Sequence, residues 1–156
     1  MPADVSADVP HFLPDEYVTL AAAKLDLYRR MTTADPAALE ALRLEVRDRF
    51  GPLPPPAQAY FSVALLRAVG GELGIEGILV RGNEARVTFS GSAVPRMKGL
   101  AAAFHGVQFQ ADVKRAHPLS LKLTRLGGAG MLDGLVQALR GLLQAGTSGT
   151  SGSSAR

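Results

Sequence analysis

The chain has 156 residues, 47% hydrophobic and 20% charged, with a formal net charge of +3. That length suits one domain, and with 6% aromatics and no tryptophan its core is expected to be aliphatic. Cysteine is absent, which excludes a disulfide framework, a thiolate metal site and a thiol nucleophile; the mild positive excess permits nucleic acid as a partner without requiring it.

Residues 1–8 are small and polar and read as a flexible lead-in, with a short edge strand placed near Val9 to Leu13. A first helix is predicted from about Thr19 to Thr32, where Leu20, Lys24, Leu27 and Met31 recur at helical spacing. Asp35-Pro36 opens a second helix, with Asp35 as N-cap and Pro36 at the first position, and Phe50-Gly51 closes it. Pro52, Pro54, Pro55 and Pro56 make a stiff connector. The third helix, about Pro56 to Leu73, is apolar on nearly every side and belongs in the middle of a core.

After Gly74 the period changes from helical to alternating. Ile75–Arg81 and Glu84–Ser90 read as two strands joined by Gly82-Asn83, a two-residue turn of the Gly-X kind. A short helix follows from about Pro95 to Phe104. Alternation then returns at Val107, Phe109, Ala111 and Val113 and at Leu119, Leu121 and Leu123. The last helix, about Met131 to Leu143, carries Leu132, Leu135, Val136, Leu139 and Leu143 on one stripe. The fold class is therefore α+β: N-terminal helices packed on a small, mainly antiparallel sheet, with a further helix between strands and a C-terminal helix. The folded domain is expected over residues 9–145. Residues 146–156, almost wholly Gly, Ser, Thr and Ala, are expected to be a disordered tail. No apolar run reaches the roughly 20 residues that span a bilayer, and the N-terminus has no signal-peptide pattern, so the expected location is the cytoplasm.

Catalytic chemistry has no foothold in the motifs. The glycine cluster Gly127-Gly128-Ala129-Gly130 lacks the Gly-Lys-Ser/Thr ending of a phosphate loop. There is no G-x-S-x-G elbow and no H-E-x-x-H. His11, His105 and His117 lie far apart, and the adjacent Asp15 and Glu16 diverge. No catalytic, cofactor or metal site is expected, and the chain is not expected to be an enzyme.

Two surfaces are left. Lys114, Arg115, His117, Lys122 and Arg125 cluster on the second hairpin near Phe109; they form either a small nucleic-acid-binding surface or an ordinary solvated strand face. On the second helix, Leu39, Leu42, Val46 and Phe50 share the inward face. Roughly opposite, Ala41, Leu44, Glu45 and Asp48 are spaced i, i+3, i+4 and i+7 and form one outward stripe. That stripe is either a protein-docking strip, with carboxylates for arginine forks and a leucine for dry contact, or a solvated face with one stray leucine.

Particular residues also resemble a family. Leu13-Pro14-Asp15-Glu16-Tyr17-Val18, then Lys24-Leu25-Asp26-Leu27-Tyr28-Arg29-Arg30, then Glu45-Val46-Arg47-Asp48-Arg49-Phe50-Gly51-Pro52-Leu53-Pro54 resemble the C-terminal domain of the Mfd proteins, the bacterial transcription-repair coupling factors. Leu66-Arg67 and Leu73-Gly74-Ile75 continue the pattern in order; beyond Ile75 only length and element order agree. Thr19-Leu20 stands where the family has Pro-Asp, and Lys24 where it has Arg; Thr19 is then the candidate cap of the first helix. The resemblance implies a regulatory module inside a large ATP-driven DNA translocase that displaces stalled RNA polymerase and recruits UvrA. It implies that the domain packs on the UvrB-like module of the same polypeptide, covers the UvrA-binding surface and restrains the motor. The family's acidic pair, which faces arginines of that module, carries over to Glu45 and Asp48. ATP, UvrA, RNA polymerase and DNA would be met through the parent protein, and no membrane is implied.

Overall fold

The computed structural model describes residues 1–91, 97–116, 118–128 and 130–154, without the side chains of 97–98 and 146–154. Among the described residues ten elements follow in order: β1 (Asp4–Ala7), α1 (Ala21–Thr33), α2 (Pro36–Phe50), α3 (Pro55–Glu72), β2 (Ile75–Arg81), β3 (Glu84–Phe89), α4 (Met97–Gly106), β4 (Phe109–Lys114), β5 (Ser120–Arg125) and α5 (Met131–Ser154). The expected α+β class is what the chain adopts. The strands form one five-stranded sheet in the order β1-β2-β3-β5-β4. Every pair is antiparallel except β1 with β2.

The second helix begins as its sequence dictates: the Asp35 side chain accepts from the Ala38 N–H at 2.8 Å, and Pro36 fills the first turn. It stops at Gly51, whose φ of +91° is open to glycine and costly for other residues. The β2–β3 turn has a positive φ at Gly82 and not at Asn83, the arrangement in which glycine takes the first central position.

α3 is the shared wall of two cores. Its residues Val63, Leu66 and Val69 face the sheet together with Ile78, Val87, Phe109, Leu121 and Leu135. Its residues Ala57, Phe61 and Leu65 face the other way, onto Leu27, Met31, Leu39, Leu42 and Val46 of α1 and α2. This is why a helix apolar on nearly every side is required at this place in the sequence. Helices α4 and α5 pack on the same face of the sheet, where Leu100, Phe104 and Leu139 are fully buried.

Four expectations are corrected. The lead-in is not loose: residues 4–7 form the edge strand, which lies there and not near Val9 to Leu13, with Val5 opposite Ile78. Ala3 and Val5 are buried against α3 and β2, and the Ala3 N–H donates to the Arg67 carbonyl at 2.9 Å. Gly71 lets the chain pass, because a Cβ there would collide with the Met1 carbonyl. Thr19 does not cap α1: Leu20 occupies the N-cap position without a side-chain acceptor. Finally, α5 is helical through Ser154, beyond Gly146 where composition predicts disorder; extending an existing helix needs no new nucleus. The expected start of the fourth helix at Pro95 lies outside the described residues, as do His117, Ala129, Ala155 and Arg156.

Candidate docking surface

The α2 stripe is built from below. Leu39, Leu42 and Val46 are buried and fix the rotation of the helix, with Phe50 half-buried at its end. That rotation turns Ala41, Leu44 and Asp48 to solvent, with Leu44 52% exposed, and leaves the Glu45 side chain 41% exposed. All four residues therefore fall on the expected outward side.

The stripe ends at a corner where the quoted motifs meet. Leu13 and Val18 are buried. The Tyr17 hydroxyl donates to the Gly51 carbonyl at 2.7 Å, and its ring lies 5.9 Å from the Phe50 ring. The Tyr28 hydroxyl accepts from the Leu13 N–H at 2.9 Å. Lys24 pairs with Asp15 across the same corner, an acid different from the family's, whose position is Leu20 here. The Leu-Pro-x-x-Tyr segment and the Arg-Phe-Gly segment are thus two sides of one contact, and each gives the other its reason to be present.

Within the stripe the two carboxylates differ. Glu45 is gripped by Arg30 of α1 in a two-pronged pair, Nη1 to Oε2 at 2.8 Å and Nη2 to Oε1 at 3.1 Å. Arg49 stands 4.0 Å from the same Oε2 and lies over the Phe50 ring, 4.9 Å from its centroid. The Arg30 hydrogen bond holds the Glu45 carboxyl below the usual glutamate range, and Glu45 in turn pushes Arg30 up. Asp48, about 60° further round the helix, has no ion-pair or hydrogen-bond partner among the described residues. Sequence reasoning missed Arg30: the pair spans 15 residues, and no local spacing rule joins them.

The basic cluster is not assembled as a free surface. Arg125 lies over the Phe109 ring at 4.4 Å and donates to the Val107 carbonyl. Phe109 is fully buried and meets Phe104 edge to face at 5.7 Å, so it offers no base a stacking platform. Lys122 stands 3.8 Å from Glu84 and opposite Asp112 in the sheet register. Lys114 and Arg115 are exposed at the β4 end. Two of the four cations therefore serve the fold or its local charge balance. Among the described residues there is no group of three or more His, Asp or Glu able to hold a metal, and no helix long and apolar enough to cross a membrane.

Comparison with known proteins adds the following. The family model described as the TRCF domain matches residues 7–100. The transcription-repair-coupling factor of Escherichia coli (strain K12) is 35% identical over 82 residues, which cover 52% of this chain and 7% of that protein. That of Myxococcus xanthus is 30% identical over 108 residues, 67% of this chain and 9% of that protein. The matched part of the chain therefore covers less than a tenth of the length of these curated relatives. A crystal structure of the C-terminal domain of transcription-repair coupling factor superposes with a TM-score of 0.79, covering 92% of each chain at 18% identity, a likeness of fold.

Proposed function

This chain belongs to the TRCF domain family, and we propose that it is the non-catalytic, cytoplasmic docking and restraining domain of a transcription-repair coupling factor. In the resting protein it packs through the α2 stripe on the UvrB-like module, masks the surface that binds UvrA, and holds back the ATP-driven translocase that displaces stalled RNA polymerase from damaged DNA. The observation that carries this reading is the stripe itself. A half-exposed Leu44 lies beside Ala41, and two carboxylates of the E-x-x-D-R-F-G motif are held outward by the buried Leu39–Leu42–Val46 face. Carboxylates flanking an apolar residue suit a partner that offers arginines around a dry patch. The basic hairpin, with Arg125 held over Phe109 and Lys122 beside Glu84, favours no comparable nucleic-acid reading.

The test is the double substitution Glu45→Lys with Asp48→Lys. The isolated domain is expected to remain folded, and binding to the purified UvrB-like module is expected to disappear. In the parent protein the same change is expected to raise UvrA binding and basal ATPase. Unchanged affinity for the module in a folded double variant refutes the docking role of the stripe.

A further inference from the structure

We infer that Arg30 is a built-in competitor for the docking carboxylate Glu45, so that Asp48 is the main electrostatic anchor of the stripe and docking strength is set partly from within the domain. The inference rests on the docking reading above and concerns how that same surface is regulated.

Arg30 already occupies both oxygens of Glu45, and Arg49 stands beside one of them. An incoming guanidinium can form a two-pronged pair with Glu45 only by displacing Arg30. That exchange replaces one arginine–carboxylate pair with another, so Glu45 contributes little net affinity. Asp48 has no such prior commitment among the described residues, and any pair it makes with a partner arginine is a gain. The displaced Arg30 has somewhere to go. Asp26 lies four residues before it on α1, acid N-terminal to base, the favourable order for a helical ion pair. Its charge already acts on Arg30. The guanidinium can therefore pass from Glu45 to Asp26 as the partner arrives, which keeps release reversible. The domain then docks firmly enough to restrain its parent and loosely enough to let go.

The experiment measures affinity for the UvrB-like module, with wild type, Arg30→Ala, Glu45→Ala, Asp48→Ala, Arg30→Ala/Glu45→Ala and Arg29→Ala. Arg29 is an exposed neighbour of the same charge and controls for simple loss of a cation near a basic partner. In the wild-type background, Asp48→Ala is expected to weaken binding clearly more than Glu45→Ala. Arg30→Ala is expected to tighten binding by about 1.5- to 5-fold, the worth of one exposed ion pair. That gain is expected to vanish in Arg30→Ala/Glu45→Ala and to exceed any gain in Arg29→Ala. Weaker binding by Arg30→Ala would mean that Arg30 positions Glu45 for docking, and it overturns the inference. So does a gain that survives without Glu45, or one matched by Arg29→Ala. If the wild-type chain does not bind the module at all, the docking reading falls, and the inference with it. The Glu45 carboxyl titration by NMR separates the two failures. A carboxyl raised toward its ordinary range by Arg30→Ala shows that the intramolecular pair exists whatever the partner proves to be; no shift removes the inference even if docking stands.

Discussion

Phe61→Ala tests whether α3 joins two cores into one cooperative unit. The Phe61 side chain is fully buried on the α1–α2 side of the helix. A buried phenylalanine hides roughly 150–250 Å², and losing most of that at about 25 cal/mol per Å² already costs several kcal/mol. That area figure is an upper bound, because the unfolded chain is itself partly compact, and truncating a buried phenylalanine costs about 3–5 kcal/mol with its cavity included. Phe61 also borders a groove of 520 Å³ between α2, α3 and α5, into which neighbours or water can relax, so the lower end, about 3 kcal/mol, is expected. For a domain of this size that corresponds to a fall in melting temperature of roughly 6–12 °C. Urea unfolding followed by far-ultraviolet circular dichroism gives the energy, and calorimetry shows whether there is still one transition. A single transition at lower temperature is the expected result, because α3 cannot leave one core and keep the other. A loss below about 1 kcal/mol would place the helix at the periphery. Two separate transitions would show that the α1–α2 lobe unfolds on its own and would refute the shared wall.

Gly134→Ala is expected to destabilise the domain or leave it unchanged. The substitution ordinarily favours a helix by about 1 kcal/mol, but here a Cβ would lie 2.6 Å from the Arg125 guanidinium, which Phe109 and the Val107 carbonyl hold in place; thermal melts of Gly134→Ala with and without Arg125→Ala check whether the helix gain returns once the guanidinium is gone. Glu45 makes stability depend on acid pH: its folded pKa is depressed by Arg30, so its contribution is complete above the ordinary value of 4.5 and fades as pH falls through the lower folded value. Comparing melting temperature against pH for wild type and Arg30→Ala is expected to show a shallower acid fall in the variant.

The helical half of the fold was readable because its determinants are local. Asp35-Pro36, Gly51 and the i, i+3, i+4 apolar spacing each act within one or two turns, and the α2 faces came out as the spacing requires. The Gly82-Asn83 turn was readable for the same reason. What escaped is non-local. Of β1 only Val5 is fully buried, beside Ala3 just before it and a partly buried Ala7, and the partner Ile78 lies more than seventy residues away, so nothing in the first eight residues announces a strand. Thr19 has a capping side chain, but the helix begins one residue too late to use it.

The same division runs through the site. Helical periodicity says which face of α2 looks outward, because the face is fixed by the residues that must be buried behind it. Periodicity does not say whether a side chain on that face is available. Availability depends on which neighbouring helix passes within reach, and that is set by packing in the core under α1 and α2. Glu45 and Asp48 are equal in the sequence pattern, and the structure makes them unequal, through one arginine whose helix is held there by Leu27 and Met31. The surroundings of Arg125 have the same origin. A cation in a hairpin counts as surface until the strand pairing shows that it lies over Phe109. In this domain the hydrophobic pattern therefore locates the outward face of α2, while the ion pairs on that face are consequences of tertiary packing. Substitutions buried beneath α1 are for that reason expected to alter docking without touching the stripe.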